Sequence, residues 1–272
     1  MGPPHCQAEA MKRTTKQKAI RYTLYGIFIG AVGVTALLAD WGKISNSFFN
    51  TEIAAEMFPE VLTTAARNTI IYTMFAFVFG FVLALVLALM KLSTIRPYRY
   101  VSITYIEIFR GLPALVTISL VAFAIPIMFQ GVRIPGGTLG QGAIGLGIVA
   151  AAYMAETIRA GIEAVPRGQM EAARSLGMSW GKAMTFIILP QAFRIIIPPL
   201  TNELVLLIKD TSLFFVLGTT IESKELTKFG RDLMTAKFNG TPLTVVALVY
   251  LAITLPMTYL VSRLEKRTAA AR

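Results

Sequence analysis

A stripe of polar side chains interrupts an otherwise apolar segment in the last third of the chain. Residues 195–217 are long enough to cross a bilayer, yet they contain Asn202, Glu203, Lys209 and Asp210. A charged side chain at mid-bilayer costs about 2.5–3.5 kcal/mol on insertion scales, so such groups face protein or water and mark functional sites. Positions seven apart recur on one face of a helix. The sequence therefore predicts a polar stripe along a membrane helix.

The stripe carries the groups that a zwitterionic small molecule needs. Lys209 supplies a cation, Asp210 supplies an anion, and Thr211 and Ser212 add hydroxyls near the midplane. One interpretation is that the stripe lines a translocation path for such a molecule. The other is that Lys209 and Asp210 form a structural ion pair that locks this helix to a neighbour or to a partner subunit.

A second intramembrane charge, Arg110, is followed by Gly111 and Pro113. Glu107 precedes Arg110 by three residues, a spacing that permits a local salt bridge. The functional alternative is that Gly111 and Pro113 break the helix and expose backbone groups to a ligand, as broken helices do in many transporters. Pro198-Pro199 is expected to open a later span in the same way.

Six apolar segments must position these residues. Hydrophobic residues make up 55% of the 272 residues and charged residues only 15%, against about 25% charged residues in soluble domains. About 20 residues suffice to cross the hydrocarbon core, and the candidate spans cover residues 22–39, 67–90, 100–130, 138–158, 193–217 and 240–262. The predicted fold class is all-α, a polytopic membrane helix bundle with about six transmembrane helices. Closely spaced glycines after Pro135 predict tight helix packing.

The orientation follows from the positive charges. Of the 26 Lys and Arg residues, 17 lie on one side, in the segments 1–21, 91–99, 159–194 and 263–272. The positive-inside rule therefore places the N-terminal tail 1–21 and the C-terminal tail 263–272 of this multi-pass membrane protein in the cytoplasm. The basic tails fit anionic lipid better than nucleic acid. The first ten residues are expected to be unstructured.

Most side-chain catalysis is excluded. His5 is the single histidine and Cys6 the single cysteine, which leaves no material for a disulfide framework, a zinc site or a His-based triad. The phosphate-binding pattern G-x-x-x-x-G-K-[ST] is absent from the sequence. We therefore assign no catalytic residue, metal ligand or cofactor to this chain, and any use of ATP requires another chain.

The loop 163–190, between the fourth and fifth spans, carries a patterned motif. Glu171-Ala172-Ala173 is followed after three residues by Gly177, and Ile187-x-Leu189-Pro190 follows after nine more. This spacing predicts a short helix, a left-handed turn at Gly177 and a second helix that begins near Trp180 with Ser179 as its cap. Met170, Ala173 and Leu176 recur at helical spacing.

The motif resembles the signature loop of ATP-binding-cassette (ABC) importer permeases, and the chain is similar to the subfamily that imports polar amino acids. The resemblance covers roughly Asn68 to Ser262. It is carried by Arg110-Gly111-Leu112-Pro113, Ala152–Ile162, Leu189–Arg194, Pro198–Glu203 and Lys209–Leu213. The family usually has Arg-Gly-Thr-Pro followed by Val-Gln, whereas this chain has Leu112 and Thr117 at the Thr and Gln positions.

The resemblance implies a type I ABC importer permease-like fold over residues 22–262, with the loop 163–190 as a coupling helix that docks on the ATPase. The implied ATPase-coupling residues are Glu171, Ala172, Ala173, Gly177, Met178 and Ser179. The implied substrate pathway contains Lys209, Asp210, Thr211, Ser212, Asn202, Glu203, Arg110, Gly111 and Pro113. Of these, the family's substrate pocket lies beside the segment that matches Lys209-Asp210.

The resemblance also implies a location in a bacterial cell (inner) membrane, a set of partners and a cargo. The expected partners are two ATPase subunits that bind ATP and Mg, a second permease copy or a paralogue, and an extracytoplasmic binding protein. The expected cargo is a polar amino acid, with glutamate and glutamine as candidates. The alternative function is an ion-gradient-driven secondary transporter of a small polar solute, with Asp210 and Glu203 as ion relays. That alternative leaves the Glu-Ala-Ala loop unexplained.

Overall fold

The computed structural model describes residues 4–131, 134–218 and 220–270, and the regular elements of these residues are helices. They are α1 (Pro4–Leu38), α2 (Trp41–Phe48), α3 (Thr51–Glu56), α4 (Arg67–Leu92), α5 (Arg96–Gly111), α6 (Ala114–Met128), α7 (Gly137–Glu163), α8 (Arg167–Ser175), α9 (Trp180–Ala183), α10 (Leu189–Asp210), α11 (Leu226–Lys237) and α12 (Thr241–Ala270). Short π turns precede α4 and α10, and a 3₁₀ turn, Thr211–Val216, follows α10. The all-α prediction is confirmed.

Five helical segments are long and apolar enough to cross a membrane. They are Ile20–Leu38, Val61–Leu92, Gly137–Glu163, Trp180–Val216 and Thr241–Lys266. A sixth candidate is the pair α5 and α6, which is bent by 110° at its break. This count confirms the predicted polytopic bundle.

The break between α5 and α6 follows from the local sequence. Pro113 lacks a backbone N–H and disfavours helical backbone at the residue before it. Leu112 accordingly adopts extended backbone, with φ −87° and ψ 141°, and α6 begins again at Ala114. The predicted helix break at Gly111 and Pro113 is confirmed.

Two helices make up the N-terminal unit, residues 4–50 of the described chain. The expectation of an unstructured start is wrong, because α1 already begins at Pro4. Good helix formers, among them Gln, Ala, Met and Lys, fill the segment that follows, and no Gly or Pro interrupts it before Gly26. Residues 1–3 and 271–272 of the two predicted tails lie outside the described residues.

In the second unit, residues 51–270, α7 is the most buried span and packs closely against α4 and α6. A Cβ placed on Gly80 of α4 would lie 2.8 Å from the Gly147 carbonyl oxygen, and one placed on Gly145 would lie 2.9 Å from the Ile118 Cα. These approaches require glycine. The prediction that the glycines of this segment serve helix packing is confirmed.

Polar side chains hold the broken span and the loop before α11 in place. In α5, the Ser102 hydroxyl donates to the Leu87 carbonyl at 2.7 Å, and the Tyr105 hydroxyl donates to the Ile148 carbonyl at 2.9 Å. At the other end of α4, the Asn68 amide donates to the carbonyls of Glu222 and Lys224, at 2.8 and 3.0 Å. The broken span is thus held against both α4 and α7.

The expected opening at Pro198-Pro199 is wrong. Helix α10 runs without interruption from Leu189 to Asp210 through both prolines. Each proline removes one donor from the helix, but membrane helices tolerate this where neighbouring helices support the backbone. Pro198 is buried against such neighbours.

Candidate functional site

The polar stripe meets the broken span at a cavity of about 190 Å³, here called the midspan cavity. Two carboxylates from α10, Glu203 and Asp210, line it together with Leu206, which lies between them on the helix. The remaining lining comes from the break and from α7: Leu112, Ala114, Leu146, Val149, Ala150 and Tyr153, with Leu207 of α10. The structure therefore brings the two carboxylates of the stripe and the helix break into one site.

The two carboxylates of the midspan cavity form no salt bridge in the part of the chain that the structure describes. Among the described residues, neither Glu203 nor Asp210 forms an ion pair within 4.0 Å. They are seven positions apart in the sequence, which is about 10 Å along the helix axis. Two anions in a largely apolar pocket are complementary to a ligand with positive charge.

Partial positive charge at the midspan cavity comes from backbone N–H groups at the start of α6. The first N–H groups of a helix have no acceptor within the helix and carry partial positive charge. Helix α6 begins at Ala114, which lines the midspan cavity, and Pro113 is its N-cap. The site thus has an anionic side and a helix N-terminus, the arrangement that binds the carboxylate of an amino acid in broken-helix transporters.

The structure separates the members of the predicted stripe. Asn202 and Lys209 are exposed and do not line the midspan cavity, whereas Glu203 and Asp210 do. Within the described residues, no ion pair within 4.0 Å joins Lys209 to Asp210. The alternative that these residues lock the helix to a partner subunit stays a prediction. Adjacent residues on a helix point about 100° apart and do not face each other.

The predicted hydroxyls lie just beyond the cavity. Thr211 is buried and donates to the Ile208 carbonyl at 2.7 Å, while Ser212 is half-buried. Thr117, at the position where the resembled family has Gln, lies in the first turn of α6 with 3% of its surface exposed. Its hydroxyl has no hydrogen-bond partner among the described residues. This polar group is buried within one turn of the helix end that lines the cavity.

Arg110 lies in a neighbouring cavity of about 410 Å³, here called the inner cavity. It is lined by Lys91, Ile106, Glu107, Arg110, Gly111, Tyr153 and Glu156. The expected salt bridge from Arg110 to Glu107 is wrong in the described structure, since the arginine instead lies over the Tyr153 ring, with Cζ 5.5 Å from the centroid. Cation–π contacts of this kind are favourable within about 6 Å.

An ion-pair cluster joins α4 and α7 beside the inner cavity. Glu156 pairs with Lys91, and its other oxygen lies 3.0 Å from the Arg159 guanidinium. Arg159 also contacts Glu163 at 2.5 Å. Glu156 and Arg159 therefore have a structural role, and Lys91 is a further partner that sequence spacing cannot identify because it lies on another helix.

The loop motif folds as two short helices around Gly177. Gly177 has φ +83°, the left-handed conformation that glycine adopts without strain, and the Ser179 hydroxyl accepts a hydrogen bond from the Lys182 amide at 3.4 Å. Both features are as predicted. Glu171, Ala172, Gly177 and Ser179 are exposed, Met178 is half-buried and Ala173 is buried.

The side chain of Leu176 differs from its expected placement. Met170 packs against the core beside buried Ala173, but Leu176 is 85% exposed. Helix α8 ends at Ser175, so Leu176 begins the turn and no longer follows the helical face. The turn therefore presents an apolar side chain to the outside, near exposed Trp180.

Tyr153 is the site residue that sequence reasoning missed. It lines both cavities and is 41% exposed. It is the single aromatic residue of α7, a helix otherwise rich in Gly and Ala, and that contrast is a usable signal. Its position between the break and α10 depends on contacts distant in sequence.

Comparisons with known proteins agree with this arrangement. The family model described as "Binding-protein-dependent transport system inner membrane component" matches residues 80–270. The arginine transport system permease protein ArgU of Corynebacterium glutamicum is 35% identical over 97% of this chain and 88% of its own length. The probable glutamine ABC transporter permease protein GlnM of Bacillus subtilis is 36% identical over 74% of this chain and 89% of its own length.

A solved structure, described as the crystal structure of an amino acid ABC transporter with histidines, is also similar. It shares 36% sequence identity with a TM-score of 0.69 and covers 78% of this chain and 96% of the matched chain. A bacterial ABC transporter involved in import of alginate matches at 14% identity with a TM-score of 0.65 over 94% of this chain and 99% of the matched chain. At that identity the second match shows the fold alone.

Proposed function

The chain belongs to the binding-protein-dependent transport system inner membrane components, and from this premise we propose how its cavities carry an amino acid across the membrane. It is the permease subunit of an ABC amino acid importer, and ATP hydrolysis takes place on a separate chain. Membership of this family excludes the alternative function, an ion-gradient-driven secondary transporter. An ATPase and a binding protein are the partners that the family implies.

The midspan cavity is the substrate site of this proposal. Glu203 and Asp210 bind positive groups of the amino acid, and the N-terminus of α6 at Ala114 binds its carboxylate. The observation that carries the proposal is the meeting of two unpaired carboxylates with a helix N-terminus in one cavity. Lys209 and Asn202 are exposed and lie outside this cavity.

The same geometry favours a cationic amino acid over glutamate or glutamine. An amino acid with a basic side chain has two positive groups, one for each carboxylate of the midspan cavity. Glutamate would bring a second negative charge next to two anions, which is unfavourable in a low-dielectric site. The nearly full-length similarity to an arginine permease supports this assignment.

A substrate-competition assay tests the cargo. The permease, its ATPase and its binding protein are reconstituted in liposomes, and uptake of labelled arginine is measured against unlabelled lysine, glutamine and glutamate. Lysine should compete and glutamate should not. The binding protein contributes its own selectivity, so an Asp210→Asn variant is compared with the same binding protein. Competition by glutamate in the wild type, unaltered in Asp210→Asn, would contradict the assignment.

The loop around Gly177 is the ATPase-docking element of the proposal. Leu176 and Trp180 project from the turn, and Glu171 and Ala172 are exposed on α8. An apolar anchor on a short helix suits a groove on a partner protein. Closure of two ATPase subunits would then rock two permease bundles about the midspan cavity. An even number of spans separates this loop from each terminus. Both termini therefore lie on the cytoplasmic side, with the loop, in this proposal.

Co-purification tests the docking element. Affinity purification of the tagged permease in mild detergent should recover the ATPase chain, and Leu176→Asp should remove it. Thr185→Asp, on the exposed face of the π turn after α9, is a matched control that adds the same charge outside the turn. Equal ATPase recovery with both variants would show that the turn is not the docking element.

A further inference from the structure

The midspan cavity and the inner cavity share one wall. Tyr153 lines both the midspan cavity and the inner cavity, and its ring is held under the Arg110 guanidinium. The midspan cavity holds Glu203 and Asp210, whereas the inner cavity holds Glu107 and Arg110. Movement of one aromatic side chain would therefore join two separately charged compartments.

The inner cavity lies on the cytoplasmic side of the midspan cavity in the proposed orientation. Its lining includes Lys91, the penultimate residue of α4, and Glu156, in the last third of α7. Both helices run towards the cytoplasm in that orientation. A substrate that leaves the midspan cavity inward would meet the inner cavity next.

The charges of the inner cavity fall into two groups. Lys91 and Glu156 neutralise each other, and Arg159 takes the second Glu156 oxygen. Glu107 and Arg110, one turn apart on α5, have no ion-pair partner in the described ranges of the chain. A guanidinium and a carboxylate left unpaired in one cavity are complementary to the α-carboxylate and α-ammonium of a free amino acid.

We infer that the inner cavity is a second amino-acid station on the exit path, in which Arg110 binds the α-carboxylate and Glu107 binds the α-ammonium. The inference rests on the proposed function. The arriving carboxylate competes with the Tyr153 ring for the guanidinium, so that occupation of the station releases the ring that separates it from the midspan cavity. The station contacts groups common to all amino acids and therefore does not select side chains.

A cysteine-protection experiment tests this station in the assembled transporter. Cys6 is the single cysteine, so Cys6→Ser gives a cysteine-free background. Gly111 lines the inner cavity, and a Cβ added there meets no atom within 4 Å. A Gly111→Cys variant is treated with a thiol reagent in the nucleotide-free complex with and without arginine. At four times the dissociation constant, arginine should slow labelling about fivefold.

Three variants locate the protection. Arg110→Gln should abolish it, and Asp210→Asn should leave it intact because the second station binds independently. Gly218→Cys is the unprotected control, because Gly218 lines a different cavity, beside α4, and its added Cβ meets no atom within 4 Å. Co-purification of the ATPase confirms that each variant complex is assembled.

The outcomes separate this inference from the proposed function. Protection that survives Arg110→Gln but disappears in Asp210→Asn would place arginine in the midspan cavity alone, which overturns the station and retains the substrate site. Absence of protection in every variant, with normal arginine uptake by the wild type, would also overturn the station. Absence of arginine uptake by the wild-type complex would instead contradict the proposed cargo.

Discussion

Gly147→Ala should weaken the packing of α7 against α4 and lower the stability of the protein. A Cβ at this position would lie 2.7 Å from the Phe79 Cδ1 atom and 2.9 Å from the Ala76 carbonyl oxygen. Both distances are shorter than ordinary contact, and the second involves backbone, so the helices must separate. Overpacking of this kind costs about 1–3 kcal/mol. The separation would also displace Tyr153 and the Lys91–Glu156 pair, which depend on the same two helices.

The matched control is Gly26→Ala, because Gly26 lies within α1 and its added Cβ meets no atom within 4 Å. Alanine improves helix propensity at both positions by up to about 1 kcal/mol. The difference in stability between the two variants therefore reports the cost of the steric clash at position 147. Thermal unfolding of each purified variant in mild detergent should show Gly147→Ala melting below Gly26→Ala by several degrees. Equal midpoints, with equal uptake, would refute the claim that this approach requires glycine.

Three further predictions test other parts of the structure. Thr117→Val should raise the free energy of unfolding by about 1 kcal/mol, because a buried hydroxyl without a partner is replaced by an apolar group of the same shape, and thermal unfolding measures it. Burial raises the pKa of Glu225, which caps α11 outside the spans, from 4.5 to about 7. Protonation of Glu225 therefore stabilises the folded state by about 3 kcal/mol. This stabilisation is fully present below about pH 4.5 and is lost as pH rises through 7. Glu225→Gln should flatten that part of a profile of Tm against pH. At Gly177, φ +83° should make Gly177→Asn tolerated and Gly177→Val strongly impaired in ATPase co-purification, since asparagine adopts left-handed backbone more readily than a β-branched residue.

The helices and turns that depend on local chemistry could be predicted from the sequence. Pro113 breaks its helix because the missing N–H and the restriction on Leu112 act on adjacent residues. The turn at Gly177 and the cap at Ser179 are likewise encoded within a few residues. The same local rule failed at Pro198, where support from neighbouring helices outweighs the effect of the proline.

The site itself could be predicted only in part. The seven-residue spacing correctly predicted that Glu203 and Asp210 lie on one face of α10. It could not show that Lys209 lies outside the midspan cavity, because that depends on the rotation of α10 against its neighbours. Tyr153 and Lys91 join the site through contacts between different helices. Such contacts leave no periodic signal in a single sequence.

The most direct test of the account is uptake of labelled arginine by reconstituted complexes carrying Asp210→Asn or Asn202→Ala. Loss of a charge-assisted hydrogen bond is worth about 1.5–3 kcal/mol, so Asp210→Asn should reduce uptake about 10- to 100-fold. Binding-protein-stimulated ATP hydrolysis should persist, since the ATPase-docking loop is untouched. Asn202→Ala changes an exposed position outside the midspan cavity and should retain uptake. Normal arginine uptake by Asp210→Asn would contradict the assignment of the midspan cavity as the substrate site.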